Sequence, residues 1–156
     1  MQILYTSMNI FDIPITNDGS EAVCVTTNGV IKKDGAAVMG KGIAKEANDR
    51  YDVASILANH LQNGGNHVYP LKTVQDKDKT FLLCSFPTKN DWRDNSDIDL
   101  IKQSAKELVQ LCNACGIKRC YLTPPGCANG HLSWDCVVAP AIAPILDDRI
   151  TIVIRR

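Results

Sequence analysis

The chain carries no excess charge of either sign: its seventeen lysines and arginines balance seventeen aspartates and glutamates. No global field therefore draws it toward nucleic acid or an anionic membrane, and contact with a polyanion has to be local. It also lacks any apolar run near the roughly 20 residues that span a bilayer. The opening MQILYTSMNI has neither the charged start nor the long apolar stretch of a secretory signal. The expectation is a soluble, cytoplasmic protein without a membrane partner. No repeat, low-complexity tract or linker divides the 156 residues, of which 45% are hydrophobic. That is enough for one core, so a single domain over 1–156 is expected.

Paired cysteine motifs are missing as well. The seven cysteines are odd in number, and Cys24, Cys84, Cys120 and Cys136 sit in apolar runs where a thiol packs as a small hydrophobe. Cys112 and Cys115 form a CxxC at the end of a helical pattern, but no second CxxC or HxxxH supplies two further zinc ligands. Reduced packing cysteines, no metal and no cofactor are the reading.

What is present alternates between two periodicities. Apolar, β-branched runs at 3–5, 22–27, 67–71, 80–86, 118–123 and 150–154 read as strands. The clearest helix runs from Ser96 to Cys115, with Ile98, Ile101, Ala105, Leu108, Leu111 and Cys112 three and four apart. Ser96 with Asp99 resembles a capping box, and Gly116 can take the left-handed conformation that ends the helix. A second helical region covers 41–62, with a possible break at 48–52, and a third follows Trp134, where Pro140 and Pro144 obscure its extent. Continuous rather than alternating strands indicate a sheet covered by helices on both faces, an α/β architecture. Ligands of such sheets bind beyond the carboxyl ends of the strands.

Three loops leave those ends. The first, Thr26 to Asn48, places Gly35, Gly40 and Gly42 before a helix, where exposed N–H groups favour an anion. Gly35, Gly40 and Lys41 have P-loop spacing, but the next position is Gly42 where a P-loop needs a hydroxyl for magnesium. A purely structural glycine turn is the competing reading. The second, SFPTKNDWRDNS, gathers Thr88, Lys89, Asn90, Trp92 and Arg93 beside a helix start. Trp92 plugging the sheet edge, with Lys89 and Arg93 in water, is the alternative there. The third, TPPGCANGHLSWDC, contains Gly126 and Gly130, whose N–H groups can form a nest around a phosphate. His131 is the one histidine in these loops, and it is open between a catalytic and an ordinary surface role. Two glycine loops on neighbouring strand ends suit a nucleotide diphosphate.

The segments VTTNG, GAAVMGKGIAKEAN, FPTKNDWR and TPPGCANGHLSW resemble macrodomains in order and spacing, across nearly the whole chain. Within that family the likeness is to the branch of DNA ADP-ribosyl glycohydrolase antitoxins and terminal ADP-ribose glycohydrolases. The resemblance implies a three-layer α/β/α macrodomain with a mixed, mostly parallel central sheet and an ADP-ribose cleft across the strand ends. It places Asn28 near the distal ribose, and Met39, Gly40, Gly42 and Ile43 against the distal ribose and diphosphate. Lys89, beside Thr88 in the FPTK segment, takes the position implicated in catalysis. Gly126, Cys127, Ala128, Asn129 and Gly130 take the second phosphate loop, with His131 or Asp135 as an assisting acid or base. A nucleophilic Lys89 needs a desolvated amine or a second cation beside it, such as Arg93.

The chain departs from the family in having SMNIFDIP where a Gly-Asp pair usually reads adenine, which leaves Asn9 or Asp12 to substitute. It also has GCANG in place of GCG, and an added VIKKDG segment. The implied activity is removal of ADP-ribose from a modified DNA base or protein side chain. An ADP-ribose-1''-phosphate phosphatase and a non-catalytic ADP-ribose reader are the alternatives. The expected partners are ADP-ribose or an ADP-ribosylated substrate, with transient contact with modified DNA, for a monomeric protein.

Overall fold

In the computed structural model, which describes residues 1–156, the chain forms β1 (Gln2–Thr6), β2 (Glu21–Thr27), α1 (Gly42–Tyr51), α2 (Ala54–Gly64), β3 (Pro70–Asp76), β4 (Lys79–Pro87), α3 (Ile98–Cys115), β5 (Arg119–Leu122), α4 (Ala139–Ile142) and β6 (Ile150–Arg155). The six strands make one sheet in the order β1-β6-β5-β2-β4-β3. Every neighbouring pair is parallel except β3 with β4. No helix is long and apolar enough to cross a membrane.

The alternation along each central strand explains the layers. In β2, Val23 and Val25 pack with Ala47, Leu57 and Leu61 of α1 and α2, whereas Ala22 and Cys24 pack with Ile101, Leu108 and Cys112 of α3. Phe81 and Leu83 of β4 face the first group, and Cys84 and Phe86 face the second. Period two thus sends successive side chains into two separate cores, one under each helical layer, giving α/β/α. Each fully buried Leu or Phe contributes on the order of 1.5–3 kcal/mol.

Helix boundaries differ from the sequence pattern where side-chain caps decide them. Asp97, not Ser96, caps α3: its carboxylate accepts from the N–H of Asp99 and Leu100. A carboxylate there also meets the positive end of the helix dipole, which a serine cannot do. The 41–62 region splits because Asp52 is left-handed (φ 55°). The Asn48 side chain then accepts from the N–H of Val53 and Ala54 and starts α2. After Ser133 comes a wide π-type turn, Trp134–Val138, and only then the four-residue α4, with Pro140 in its first turn.

The third strand lies at 70–76 rather than 67–71. Only Leu71 and Val74 are buried along it, so this antiparallel edge exposes Lys72, Thr73 and Gln75 and has no continuous apolar run. A register shift between Pro70 and Lys72 further breaks its alternation.

All seven cysteines are free thiols. Cys24, Cys84, Cys112 and Cys120 are buried, with the Cys24 and Cys120 sulfurs 3.4 Å apart. Cys136 is exposed, contrary to its apolar neighbours, because the wide turn carries it outward. The two ends of the CxxC diverge, Cys112 into the core and Cys115 to solvent.

Candidate functional site

Parallel pairing points the carboxyl ends of β1, β6, β5, β2 and β4 the same way, and one cleft of about 1220 Å³ runs across them. From β1 to β4 is four strand spacings, about 19 Å at 4.7–4.9 Å each. The sheet order places Asn9 and Arg155 at one end, Lys89 at the other, and the two glycine loops between. Of the site residues expected from sequence, Asn9, Asn28, Met39, Gly40, Gly42 and Ile43, then Thr88 and Lys89, then Gly126 through His131 line this cleft, whereas Asp12 and Asp135 do not.

The first loop is built around Asn28. Its side-chain N–H donates to the Val38 carbonyl (3.1 Å) and its oxygen accepts from the Val30 N–H (3.0 Å). The VIKKDG segment folds back as a small hairpin, with Ile31 bridged to Ala37, and does not line the cleft. Asn28 braces the glycine arm more than it reaches for a ligand. The loop then enters α1 at Gly42 (φ 59°), where no side chain caps the helix. The unpaired N–H groups of that first turn remain available to an anion.

In the third loop Gly126 is left-handed (φ 77°), and a Cβ there would stand 2.8 Å from Ile101. A Cβ on Gly130 would fall 2.0 Å from the Ser96 hydroxyl and 2.6 Å from the Gly126 carbonyl. No other residue fits these two positions. The Gly130 carbonyl accepts from the Ser96 N–H (3.1 Å), so the loop is fastened to the entry of α3. The Cys127 thiol, half-buried in this loop, is pushed up to about 11 by burial. The hydroxyls of Thr27 and Ser96, both cleft-lining, have no hydrogen-bond partner in the protein.

The second loop positions the amine. Thr88 is 3% exposed; its N–H donates to Thr27 and its carbonyl accepts from Asp97, which fixes the adjacent residue at the cleft wall. Lys89 Nζ donates to the Asp94 carbonyl (3.1 Å) and the Asn129 carbonyl (3.2 Å), bridging the second and third loops. Two of the three ammonium donors are thus used, and one remains. The Arg93 guanidinium is committed to a carboxylate rather than left free to act on the amine. Its fork is held by Asp91 through Nε (2.9 Å) and Nη2 (2.7 Å), and that pairing brings the Asp91 carboxyl down to about 2. Trp92 does not plug the sheet edge: it lines the cleft mouth 48% exposed, with the Arg93 guanidinium 5.7 Å from its ring.

At the β1–β6 end the arrangement departs from the sequence expectation. Asp12 lies outside the cleft and pairs with Arg50 (3.4 Å). Asn9 lines it, but its oxygen accepts from the Phe11 N–H and its NH₂ donates to Glu46. Glu46 on α1 and Arg155 at the end of β6 both line the cleft, and neither stood out in the sequence. The signals were there: Glu46 is one turn past the glycine loop, and β6 points the same way as β2. Asp135 sits in the wide turn outside the cleft. His131 is exposed at the rim with φ 63°. Of the other histidines, His60 stacks on Tyr69 and His67 pairs with Glu107, both away from the cleft. No group of three or more His, Cys, Asp or Glu is placed to hold a metal ion.

No protein-family model matches the chain. A DNA ADP-ribosyl glycohydrolase of Thermus aquaticus is 29% identical over 132 residues, 81% of this chain but 33% of that protein. Among solved structures, the macrodomain of Thermus aquaticus DarG superposes with a TM-score of 0.72 at 21% identity, covering 99% of this chain and 98% of the other.

The chain has the macrodomain fold.

The macrodomain of Mycobacterium tuberculosis DarG agrees, with a TM-score of 0.70 at 24% identity over 99% of this chain and 98% of that one. So does Thermosipho africanus DarTG in complex with ADP-ribose, with a TM-score of 0.75 at 21% identity over 98% of this macrodomain and 41% of that chain. This macrodomain therefore spans about a third of its curated relative and less than half of that larger chain.

Proposed function

We propose that this macrodomain binds ADP-ribose along the cleft and hydrolyses the bond between the distal ribose and a modified acceptor, a DNA base in preference to a protein side chain. The observation that carries the reading is Lys89, whose amine is pinned between two carbonyls at one end of a cleft with two N–H-lined glycine loops at its middle. A diphosphate seated on those loops leaves one sugar at Lys89 and the base at the β1–β6 end. The solved DarTG complex with ADP-ribose and the curated glycohydrolase relative support the ligand and the reaction. The exposed face of Trp92, three residues from Lys89, offers a base somewhere to stack.

Hydrolysis adds water across the ribose–acceptor bond: hydroxyl goes to the anomeric carbon and a proton to the leaving acceptor. Two chemistries use the amine. As an ammonium it stabilises charge developing on the acceptor; as a free amine it attacks the anomeric carbon, its C–N bond replacing the ribose–acceptor bond while a proton goes to the departing acceptor, and water then resolves the ring-opened imine to free ADP-ribose and the amine. In the present bonding Nζ donates to the Asp94 and Asn129 carbonyls, which leaves an ammonium one further donor for the developing charge. His131, which lines the same cleft at its rim, is assigned the proton transfer. Its seven unpaired cysteines suit the reducing cytoplasm, and the balanced charge suits a monomer that touches modified DNA only transiently.

The test is a panel of ADP-ribosylated thymidine DNA, ADP-ribosylated protein and ADP-ribose-1''-phosphate, with free ADP-ribose binding measured in parallel. The expected result is release of ADP-ribose from the DNA, with Lys89→Ala retaining affinity and losing turnover by about two or more orders of magnitude. Full activity of Lys89→Ala on every substrate contradicts the reading. Turnover of the phosphate alone replaces it with a phosphatase, and binding without turnover on any substrate with a reader. Borohydride trapping of an adduct on Lys89 separates the two uses of the amine.

A further inference from the structure

One side chain outside the cleft, unused by the proposed hydrolysis, takes hold of the backbone that carries the amine. Asn66 lies between α2 and β3, just after Gly65 at the end of α2, and does not line the cleft. Its Nδ2 donates to the Lys89 carbonyl (3.1 Å) and to the Asn90 side-chain oxygen (3.0 Å). A backbone carbonyl can only accept, which fixes the amide with its nitrogen on this side. The next carbonyl along is held from the first loop, where the Gly29 N–H donates to Asn90 (3.0 Å). The packing between these segments is close: a Cβ on Gly29 would stand 3.1 Å from both Cγ and Nδ2 of Asn66. Two segments distant in sequence thus grip the 89–90 backbone, while the Lys89 amine is held by the Asp94 and Asn129 carbonyls.

Stability alone does not account for an amide at this position. The Asn66 Oδ1 is buried and has no hydrogen-bond partner in the protein. An unpaired buried oxygen opposes folding and offsets what the donor side of the same group contributes. An apolar side chain of similar shape fills the space without that penalty. What the amide alone supplies is a donor aimed at the carbonyl of Lys89. We propose that Asn66 is a positioning residue for Lys89, holding the 89–90 backbone so that the amine meets the distal ribose in register. It touches neither the ligand nor the reacting atoms. The proposal rests on the hydrolytic reading above and adds a residue 23 positions before the lysine on which turnover, but not binding, depends.

The experiment compares Asn66→Ala and Asn66→Leu with the wild type by steady-state hydrolysis of ADP-ribosylated thymidine DNA, calorimetric titration of ADP-ribose, and thermal melts. Misplacing a reacting group by about 1 Å can lower the rate about 100-fold, so kcat is expected to fall by roughly 10- to 100-fold in both variants. KM and ADP-ribose affinity are expected to stay within about twofold, the split that marks an interaction felt only in the transition state. The melting temperature is expected to stay within about 4 °C of wild type. Asn63→Ala, which removes an amide paired with Asn59 (3.2 Å) on the exposed side of α2, is the control and leaves all three readouts unchanged. Wild-type kcat in Asn66→Ala or Asn66→Leu overturns the proposal and leaves the hydrolytic reading standing. So does a fall in kcat matched in both variants by an equal loss of ADP-ribose affinity, which marks a support for the whole cleft. A wild type that turns over no substrate of the panel overturns the hydrolytic reading, and the proposal with it.

Discussion

Replacing Gly130 with alanine is the sharpest test of the second phosphate loop, because the added methyl has nowhere to go. Its Cβ would stand 2.0 Å from the Ser96 hydroxyl and 2.6 Å from the Gly126 carbonyl, and a backbone oxygen cannot rotate aside. Overpacking of this kind costs about 1–3 kcal/mol. For a domain of this size each kcal/mol lowers the melting temperature by about 2–4 °C, so a drop of roughly 2–12 °C is expected. Relief comes from lifting the loop off the entry of α3, which breaks the bond from the Ser96 N–H to the Gly130 carbonyl. In the proposed binding mode the N–H groups offered to the diphosphate move with it, so ADP-ribose affinity is expected to fall by an order of magnitude or more. Gly40→Ala is the matched control. That glycine also lines the cleft, but its added Cβ meets no atom within 4 Å and so leaves the melt unchanged. Scanning calorimetry and titration of both variants decide the matter. A Gly130→Ala protein with wild-type melting temperature and affinity refutes the loop argument.

Further outcomes follow from the caps, a half-buried carboxylate and the thiols. Asn48→Ala removes the acceptor for the N–H of Val53 and Ala54, and a denaturant melt is expected to show a loss of about 1–2 kcal/mol. Although burial raises the Glu107 carboxyl, hydrogen bonds from Gln103, the Val68 N–H and His67 outweigh it and hold the group below its ordinary 4.5. Its stabilisation is therefore present above about 4.5 and is lost as pH falls through the lower folded value. Acid melts of Glu107→Gln should decline less steeply than the wild type between pH 5 and pH 3, on the order of these ordinary carboxylate values. Brief alkylation at pH 8, about where free thiols react, followed by mass spectrometry, should label exposed Cys115 and Cys136. The half-buried Cys127, pushed up to about 11, and the four core cysteines should stay unmodified.

The sequence made the layers legible because burial on both sheet faces writes itself as continuous apolar strands, and the glycine spacing marked the two loops. Strand β3 was misplaced because an edge with one solvent face carries only Leu71 and Val74 as apolar signals. Asp97 and Ser96 are both fair caps by type, and only the geometry at the start of α3 chooses between them. The adenine end was the least legible part. Asn9 and Asp12 follow β1 and drew attention by position, yet the carboxylate that lines the cleft there, Glu46, comes from α1, 37 residues further along the chain than Asn9. Such a juxtaposition depends on how α1 lies over the ends of β1 and β6. Arg93 closes its fork on Asp91, only two residues before it, a pairing that the spacing makes available but does not by itself select.

The central claim is that the cleft grips ADP-ribose with its distal sugar at Lys89. A crystal structure of the protein with ADP-ribose tests it most directly. The account predicts the diphosphate over Gly42 and the Gly126–Gly130 loop, the adenine at the β1–β6 end, and the distal ribose within hydrogen-bonding distance of the Lys89 amine. A ligand bound with its adenine at Lys89, or elsewhere on the surface with the cleft empty, would contradict it.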